Sequence, residues 1–73
     1  MKPTRVTNAI RSLRFAHGEM TQAELAGRIG VTRQTIIAIE QGRYSPSLEM
    51  AFRIARAFNI PLDDAFGYED GRE

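Results

Sequence analysis

The chain has 73 residues and a net charge of +1, so it is long enough for one domain and its total charge favours no particular partner. It has no cysteine, which excludes disulfides and cysteine metal sites, and its single histidine has no second metal-ligating histidine beside it. No apolar run approaches the ~20 residues of a membrane span, and MKPTRVTNAI lacks the apolar stretch of a signal peptide, so we expect one cytoplasmic domain over residues 1–73.

The charges are unevenly divided along the chain. Residues 1–44 hold seven basic and three acidic side chains, a net charge of +4, whereas residues 45–73 hold three basic and six acidic side chains, a net charge of −3. A basic first part can face a polyanion while an acidic second part faces away from it. Ordinary variation in surface charge explains the asymmetry equally well, so the charges alone decide nothing.

A first helix is predicted over about residues 7–16. Val6, Ile10 and Leu13 recur at helical spacing along this segment. Gly18 is expected to end the helix, because glycine readily takes the left-handed conformation found at helix C-termini.

A second helix is predicted to begin near Thr21. Thr21 and Glu24 have the S/T-x-x-E spacing of a capping box, in which each side chain bonds the backbone N–H of the other residue. Leu25, Ala26 and Ile29 follow at helical spacing and are expected to point inward.

The segment GVTRQTIIAIEQG, from Gly30 to Gly42, predicts a turn and a third helix. Thr32 is the predicted N-cap and Gly42 the predicted C-terminal stop. Ile36 and Ile39 suffice to bury one face of this helix.

A broad apolar stripe predicts a fourth helix that runs to about Phe58, capped by Ser45 or Ser47. Its members are Leu48, Ala51, Phe52, Ala55 and Phe58, widened by Met50 and Ile54. Residues 62–66 predict a last short helical turn and residues 67–73 a polar tail. The predicted fold class is therefore all-α, a compact bundle of four to five short helices.

The outward face of the third helix has an unusual composition. On a wheel at about 100° per residue, the side opposite the two isoleucines carries Gln34, Ile37, Ala38 and Gln41, with Arg33 at its edge. Arginine can pair with guanine, glutamine with adenine, and alkyl groups can touch the methyl of thymine. A wider core contact, or a simply exposed isoleucine, is the alternative for Ile37. A helix, a short turn and a second capped helix nevertheless form a helix-turn-helix pattern.

The chain resembles the λ-repressor/Cro-type helix-turn-helix regulators, the XRE family, in TQAELAGRIGVTRQTIIAIEQGRYSPSLEMAFRIARAFNIPLDDAF. The resemblance covers Ile10 to about Phe66 and rests on TQAELA, the glycine turn, RQTI, IEQG and SPSLEMAFRIA. It implies a λ-repressor-like domain of a bacterial, archaeal or phage protein, with the motif at about residues 21–42. Some of the shortest relatives add strands from both chain ends at a dimer interface.

The resemblance also implies roles for individual residues. Arg33, Gln34 and Ala38 match positions that contact base edges in relatives, and the outward face of the third helix adds Ile37 as a fourth predicted base contact. The predicted phosphate contacts are Gln22, Thr32, Arg43 and Tyr44. Arg14 and Glu40 match a structural ion pair of relatives. Two departures stand out: Glu19 lengthens the turn between the first two helices by one residue, and Ile37 and Ala38 replace positions that are more often polar. We expect these two side chains to form an apolar patch that selects thymine methyls.

The function implied by the resemblance is sequence-specific binding of double-stranded DNA. A homodimer would place residues 32–41 of each chain in the major groove of a pseudo-palindromic operator and repress transcription. Phe66 and Tyr68 are the predicted dimer contacts, because apolar residues at a chain end need cover; closing the bottom of the core is their alternative role. Lys2, Arg5, Arg11 and Arg28 could add phosphate contacts or only keep the surface soluble.

Other classes of protein are weakly supported. The sequence contains no G-x-S-x-G, P-loop or H-E-x-x-H motif, so an enzyme is not expected, and nothing indicates a cofactor, metal or small-molecule ligand. An antitoxin or a restriction–modification controller would use the same DNA-binding domain. A protein-interaction module that keeps the fold without binding DNA is the alternative from a different class.

Overall fold

The structure, a computed structural model, describes residues 4–69, and this part of the chain forms five helices and one two-stranded sheet. The elements in chain order are β1 (Val6–Asn8), α1 (Ile10–Ala16), α2 (Gln22–Ile29), α3 (Arg33–Glu40), α4 (Leu48–Ala57), α5 (Leu62–Ala65) and β2 (Phe66–Tyr68). The strands are antiparallel, with Val6 opposite Tyr68 and Asn8 opposite Phe66. The predicted helical bundle is confirmed. The strands near the two ends of the described segment pair with each other within one chain.

The two central helices begin at the predicted residues. The hydroxyl of Thr21 accepts a hydrogen bond from the Glu24 amide at 3.0 Å, while Glu24 Oε1 accepts one from the Thr21 amide at 2.7 Å. Gly30 follows α2 in the left-handed conformation at φ +79°, and Thr32 caps α3 by accepting a bond from the Thr35 amide at 3.2 Å. The capping box and both helix starts are confirmed, because each depends on groups within three residues of one another.

α1 is shorter than predicted. It begins at Ile10, because Val6 and the two residues after it pair with β2 instead of continuing the helical spacing. Asn8 Oδ1 accepts a hydrogen bond from the Ile10 amide at 3.1 Å, which satisfies a donor at the start of the helix. After the helix, Gly18 and Glu19 both have left-handed backbone, with φ of +73° and +56°. The extra residue in this turn is therefore absorbed before α2 begins.

The core is formed mainly by α1, α2, α3 and the second half of α4. Its largest fully buried side chains are Phe58, Ile10, Leu25, Ile36, Ile39 and Ile54. The predicted inward residues of α2 and α3 are among the buried ones. Full burial of a side chain of this size stabilises a fold by roughly 1.5–3 kcal/mol, so these residues fix how α2 and α3 pack together.

α4 presents a narrower face to the core than the predicted one. Leu48 and Phe52, which belong to the predicted stripe, are 67% and 46% exposed, whereas Ile54 is fully buried. The buried positions of this segment are Ala51, Ile54, Ala55 and Phe58. They centre about 70° from Leu48 and about 110° from Phe52 on a wheel at 100° per residue. The predicted stripe was therefore wrong at these two positions, and both apolar side chains lie at the surface.

The second half of the chain contains smaller differences. Ser47 caps α4 by accepting a hydrogen bond from the Met50 amide at 3.1 Å, which decides between the two predicted serines. α5 is one residue shorter than predicted, because Phe66 already belongs to β2. Residues 70–73 of the predicted tail lie outside the described residues. None of the helices within residues 4–69 is long and apolar enough to cross a membrane.

Candidate nucleic-acid interface

The outward face of α3 carries donors and acceptors and no exposed acid. Arg33 and Gln34 in its first turn and Gln41 at its C-cap are exposed. Glu40 is the one acid of the helix, and its side chain is only 10% exposed because it pairs with Arg14. The guanidinium and the two amides can therefore meet base edges without a carboxylate that would repel the phosphates beside them.

Ile37 and Ala38 lie on the same side of α3 but are only half-buried. Gln34 and Gln41 are three and four residues from Ile37, so they are its neighbours on the helix surface. The accessible part of Ile37 is thus an apolar spot between two amides. This arrangement can touch a thymine methyl while the amides bond neighbouring bases.

A hydrogen-bonded network joins the start of α2 to the end of α3. Arg14 Nε and Nη2 donate to the two carboxylate oxygens of Glu40 at 2.7 and 3.2 Å, and Arg14 Nη1 donates to the Met20 carbonyl at 2.8 Å. Gln22 Nε2 donates to Glu40 Oε1 at 3.1 Å. The Gln22 amide group keeps a second N–H and its oxygen, so a phosphate can still be bound while Glu40 fixes its orientation.

The residues flanking α3 are accessible. Thr32 is exposed, although its hydroxyl accepts the capping bond from the Thr35 amide and lies 3.0 Å from Thr35 Oγ1. Arg43 and Tyr44 are exposed in the loop after α3, where the Arg43 amide bonds the Ala38 carbonyl at 3.0 Å. The predicted phosphate contacts thus lie at the two ends of α3 and at the start of α2.

The first residues of the described chain hold the far end of α3. Asn8 Nδ2 donates to the Ile39 carbonyl at 2.9 Å, and the Thr4 amide donates to the Gly42 carbonyl at 3.2 Å. Thr4 Oγ1 also lies 2.7 Å from Ser45 Oγ. These two positioning residues were not predicted from the sequence, in which an asparagine just before an apolar helix start is their only signal.

An exposed aromatic side chain lies beside this surface. Phe15 is 55% exposed, and the guanidinium carbons of Arg11 and Arg14 lie 5.8 and 5.9 Å from its ring centroid. Phe15 and Arg11 line a cavity of about 630 Å³ together with Gln22 and Arg33. Phe15 has no distinguishing signal in the sequence, because one apolar residue on a helix surface is common.

The two predicted dimer contacts differ in their surroundings. Phe66 is half-buried and packs against the core, whereas Tyr68 is 69% exposed at the end of β2. Phe52 lines a groove of about 360 Å³ together with Pro61 and Leu62, between α4 and α5. The apolar surface at this end of the molecule is therefore larger than the two predicted residues. Within residues 4–69, no three histidine, cysteine or acidic side chains are grouped as metal ligands would be.

Several known proteins are similar to this chain in sequence or in fold. Residues 10–64 match a family model described as helix-turn-helix. An HTH-type transcriptional regulator from Methanocaldococcus jannaschii is 51% identical over 63 residues, which cover 86% of this chain and 94% of that protein. RstR, a transcriptional repressor of the cryptic phage CTXphi from Vibrio cholerae, is 36% identical over 77% of this chain and 50% of its own length. The solved structure of the restriction-modification controller protein C.AhdI from Aeromonas hydrophila matches with a TM-score of 0.69 and 31% identity, over 75% of this chain and 78% of that one.

Proposed function

The chain belongs to the XRE-type helix-turn-helix family, and on that premise we propose that it is a homodimeric DNA-binding repressor of transcription. The proposal treats residues 1–73 as a single DNA-binding domain that acts in the cytoplasm and is not an enzyme. The observation that carries it is the outward face of α3, on which Arg33, Gln34 and Gln41 are exposed and no acid is. RstR, a relative named as a transcriptional repressor, supports the direction of regulation.

α3 enters the major groove in this proposal. Arg33 and Gln34 lie in its first turn, which is the part of a recognition helix that contacts base edges. Arginine binds guanine O6 and N7, glutamine binds adenine N6 and N7, and Ile37 and Ala38 face thymine methyls. A correct bidentate pair discriminates against a wrong base by about 1–3 kcal/mol, which is enough for two such contacts to define a half-site.

The phosphate contacts fix the register of that helix. Gln22, Thr32, Arg43 and Tyr44 surround α3, and none of them is fully buried. The N-terminal turn of α2 adds backbone N–H groups near Gln22, and helix N-termini favour phosphate. These contacts carry no sequence information, but they orient α3 so that the same side chains meet the same bases each time.

A second copy of the chain is the proposed cover for the apolar surface around α5. Phe52 and Tyr68 are exposed on α4 and β2, the two elements that pack against α5. Pairing through this surface would join two chains by the same patch and match the symmetry of a pseudo-palindromic operator. Phe66 contributes to the core as well, so Tyr68 is the more specific probe of the interface.

Selection from a random duplex pool at near-physiological salt, followed by sequencing, tests the function. We expect enrichment of a pseudo-palindrome with half-sites about 10 base pairs apart, or a multiple of that spacing. The variant R33A should lose the preference at one position of each half-site. A pool that stays random, with weak binding that disappears as salt rises, would overturn specific recognition.

Control of a restriction–modification operon is a second candidate, because C.AhdI shares the fold at 31% identity. It uses the same operator recognition and differs in which genes are regulated. A reporter assay on the genes that lie beside the selected operator separates the two candidates. A restriction enzyme gene under the operator's control supports the controller role, and any other target gene supports a general repressor.

A further inference from the structure

A second basic site lies between α2 and α4. Three arginines, Arg28 from α2 and Arg53 and Arg56 from α4, line a cavity of about 560 Å³. None of the residues that line it is acidic. Like charges converging on one cavity repel one another, so the arrangement favours an anion as its occupant.

The three guanidinium groups differ in how far they are already bound. Arg53 Nη1 donates to the Ile29 carbonyl at 3.3 Å, and Arg53 Nη2 donates to Glu49 Oε2 at 2.8 Å. Within the described part of the chain, neither the Arg28 nor the Arg56 guanidinium has a hydrogen bond or an ion pair. Three arginines and one glutamate give the cluster a local charge of +2.

Glycine leaves room for a ligand at this site. A Cβ atom at Gly27 would meet no atom within 4 Å, and one at Gly30 would lie 3.8 Å from Arg53 Nη1. The wall of the cavity on the α2 side is therefore formed largely by backbone. A small anion can approach that wall and still be reached by the long arginine side chains from both helices.

We propose that this cavity binds a small dianionic oxyanion, namely a phosphate monoester or inorganic phosphate. A dianion matches the charge of +2, and each free guanidinium can donate two parallel N–H···O bonds to phosphate oxygens. A phosphate monoester carries a charge of about −1.5 to −2 at neutral pH, close to what the cluster requires. No base or second macromolecule is needed for this interaction.

The site is distinct from the proposed DNA surface. Arg28 lies six residues after Gln22 on α2, about 9 Å further along the helix axis and near its opposite end. The site still touches the recognition motif, because Arg53 bonds the carbonyl of Ile29 immediately before the turn that leads into α3. Anion binding at this position would therefore affect the turn between α2 and α3.

Titration of the ¹⁵N-labelled full chain with inorganic phosphate, at ionic strength held constant with chloride, tests the proposal. We expect saturable shifts of the Gly27 and Gly30 amide signals. The variant R28Q/R56Q should weaken phosphate binding by at least about tenfold, since it removes two charge-assisted contacts. Arg53 is left unchanged because it also holds the Ile29 carbonyl.

The control K2Q/R72Q removes the same charge while leaving all three arginines of this cavity in place, and should bind phosphate as the wild type does. Circular dichroism verifies that both variants are folded. Shifts that never saturate, or equal phosphate affinity in R28Q/R56Q, would overturn the site. The remaining outcome is that these arginines bind the phosphates of DNA. In that case R28Q/R56Q would reduce the slope of log K against log salt for a random duplex by the equivalent of about two phosphate contacts, and the small-anion proposal would fail. The phosphate titration uses no DNA, so its outcome does not depend on whether the proposed function is correct.

Discussion

At the scale of single residues, the unusual feature is the pair of apolar side chains on the outward side of α3. Ile37 and Ala38 are half-buried, so part of each side chain is covered by the protein and part is accessible to solvent. Neither side chain is among the partly buried residues that pack against the core cluster around Ile36 and Ile39. A surface isoleucine between two amides is suited to a methyl group in the groove.

Replacing thymine by uracil in the operator, one base at a time, should identify the partner of Ile37. We expect a loss of about fourfold in affinity at one position per half-site, which corresponds to the ~0.8 kcal/mol for burial of one methyl group. The variant I37S should bind the thymine and uracil operators equally at that position. Q34A is the matched control, and it should lose affinity while keeping the preference for thymine. An equal thymine preference in wild type and I37S would assign the isoleucine to packing alone.

At the scale of elements, α3 is held at its C-terminal end by contacts from distant parts of the chain. Asn8 donates to the Ile39 carbonyl, and Thr4 donates to the carbonyl of Gly42 just after the helix. Its Glu40 side chain binds Arg14 of α1 and Gln22 of α2. In the proposed function, bases are read only when α3 is oriented reproducibly, so these contacts would contribute to recognition without touching DNA.

Removing the charge of Glu40 should destabilise the domain strongly. The Arg14–Glu40 pair is 11% and 10% exposed, and losing one partner of a buried pair costs about 3–5 kcal/mol because the other charge remains unpaired. We therefore expect E40Q to lower the free energy of unfolding by roughly 3 kcal/mol in urea denaturation. The double variant R14M/E40Q should recover most of that loss.

E49Q provides the control for this prediction. It breaks the Arg53–Glu49 pair, whose side chains are 55% and 77% exposed. Water and salt screen such a pair, so the change in unfolding free energy should stay below about 1 kcal/mol. Similar losses in E40Q and E49Q, or no recovery in the double variant, would show that the Arg14–Glu40 pair is not a major support of the fold.

At the scale of the whole molecule, three of the five exposed large apolar residues of the described chain lie on α4 and β2, the two elements that pack against α5. Leu48, Phe52 and Tyr68 are 67%, 46% and 69% exposed, and two of them are aromatic. An apolar surface of this kind usually marks a contact with another protein. In a symmetric dimer it would separate the two α3 helices by about one turn of DNA, ~34 Å.

If the proposed dimer forms through this surface, the double variant F52S/Y68S should be a monomer, because both side chains would lose an apolar partner across the interface. Sedimentation velocity measures the change directly, and operator affinity should fall with it. F15S is the matched control: Phe15 is similarly exposed at 55%, but it lies beside Gln22 and should leave the sedimentation coefficient unchanged. A dimeric F52S/Y68S protein would move the interface elsewhere.

The sequence by itself determined the local features of this protein. The caps at Thr21 and Thr32, the glycine stop at Gly42, and the inward faces of α2 and α3 follow from residue types and their spacing, and the structure contains each of them. Each of these features depends on groups a few residues apart, so a short stretch of sequence contains everything needed to specify it.

Only the tertiary structure decided the rest. Asn8 meets Ile39 across 31 residues and Thr4 meets Ser45 across 41, and no local pattern specifies such partners. Val6 has helical spacing, yet it forms a strand because β2 offers its backbone a partner. The exposure of Phe52 and the convergence of arginines between α2 and α4 follow from the angle at which helices pack, which depends on many distant side chains at once.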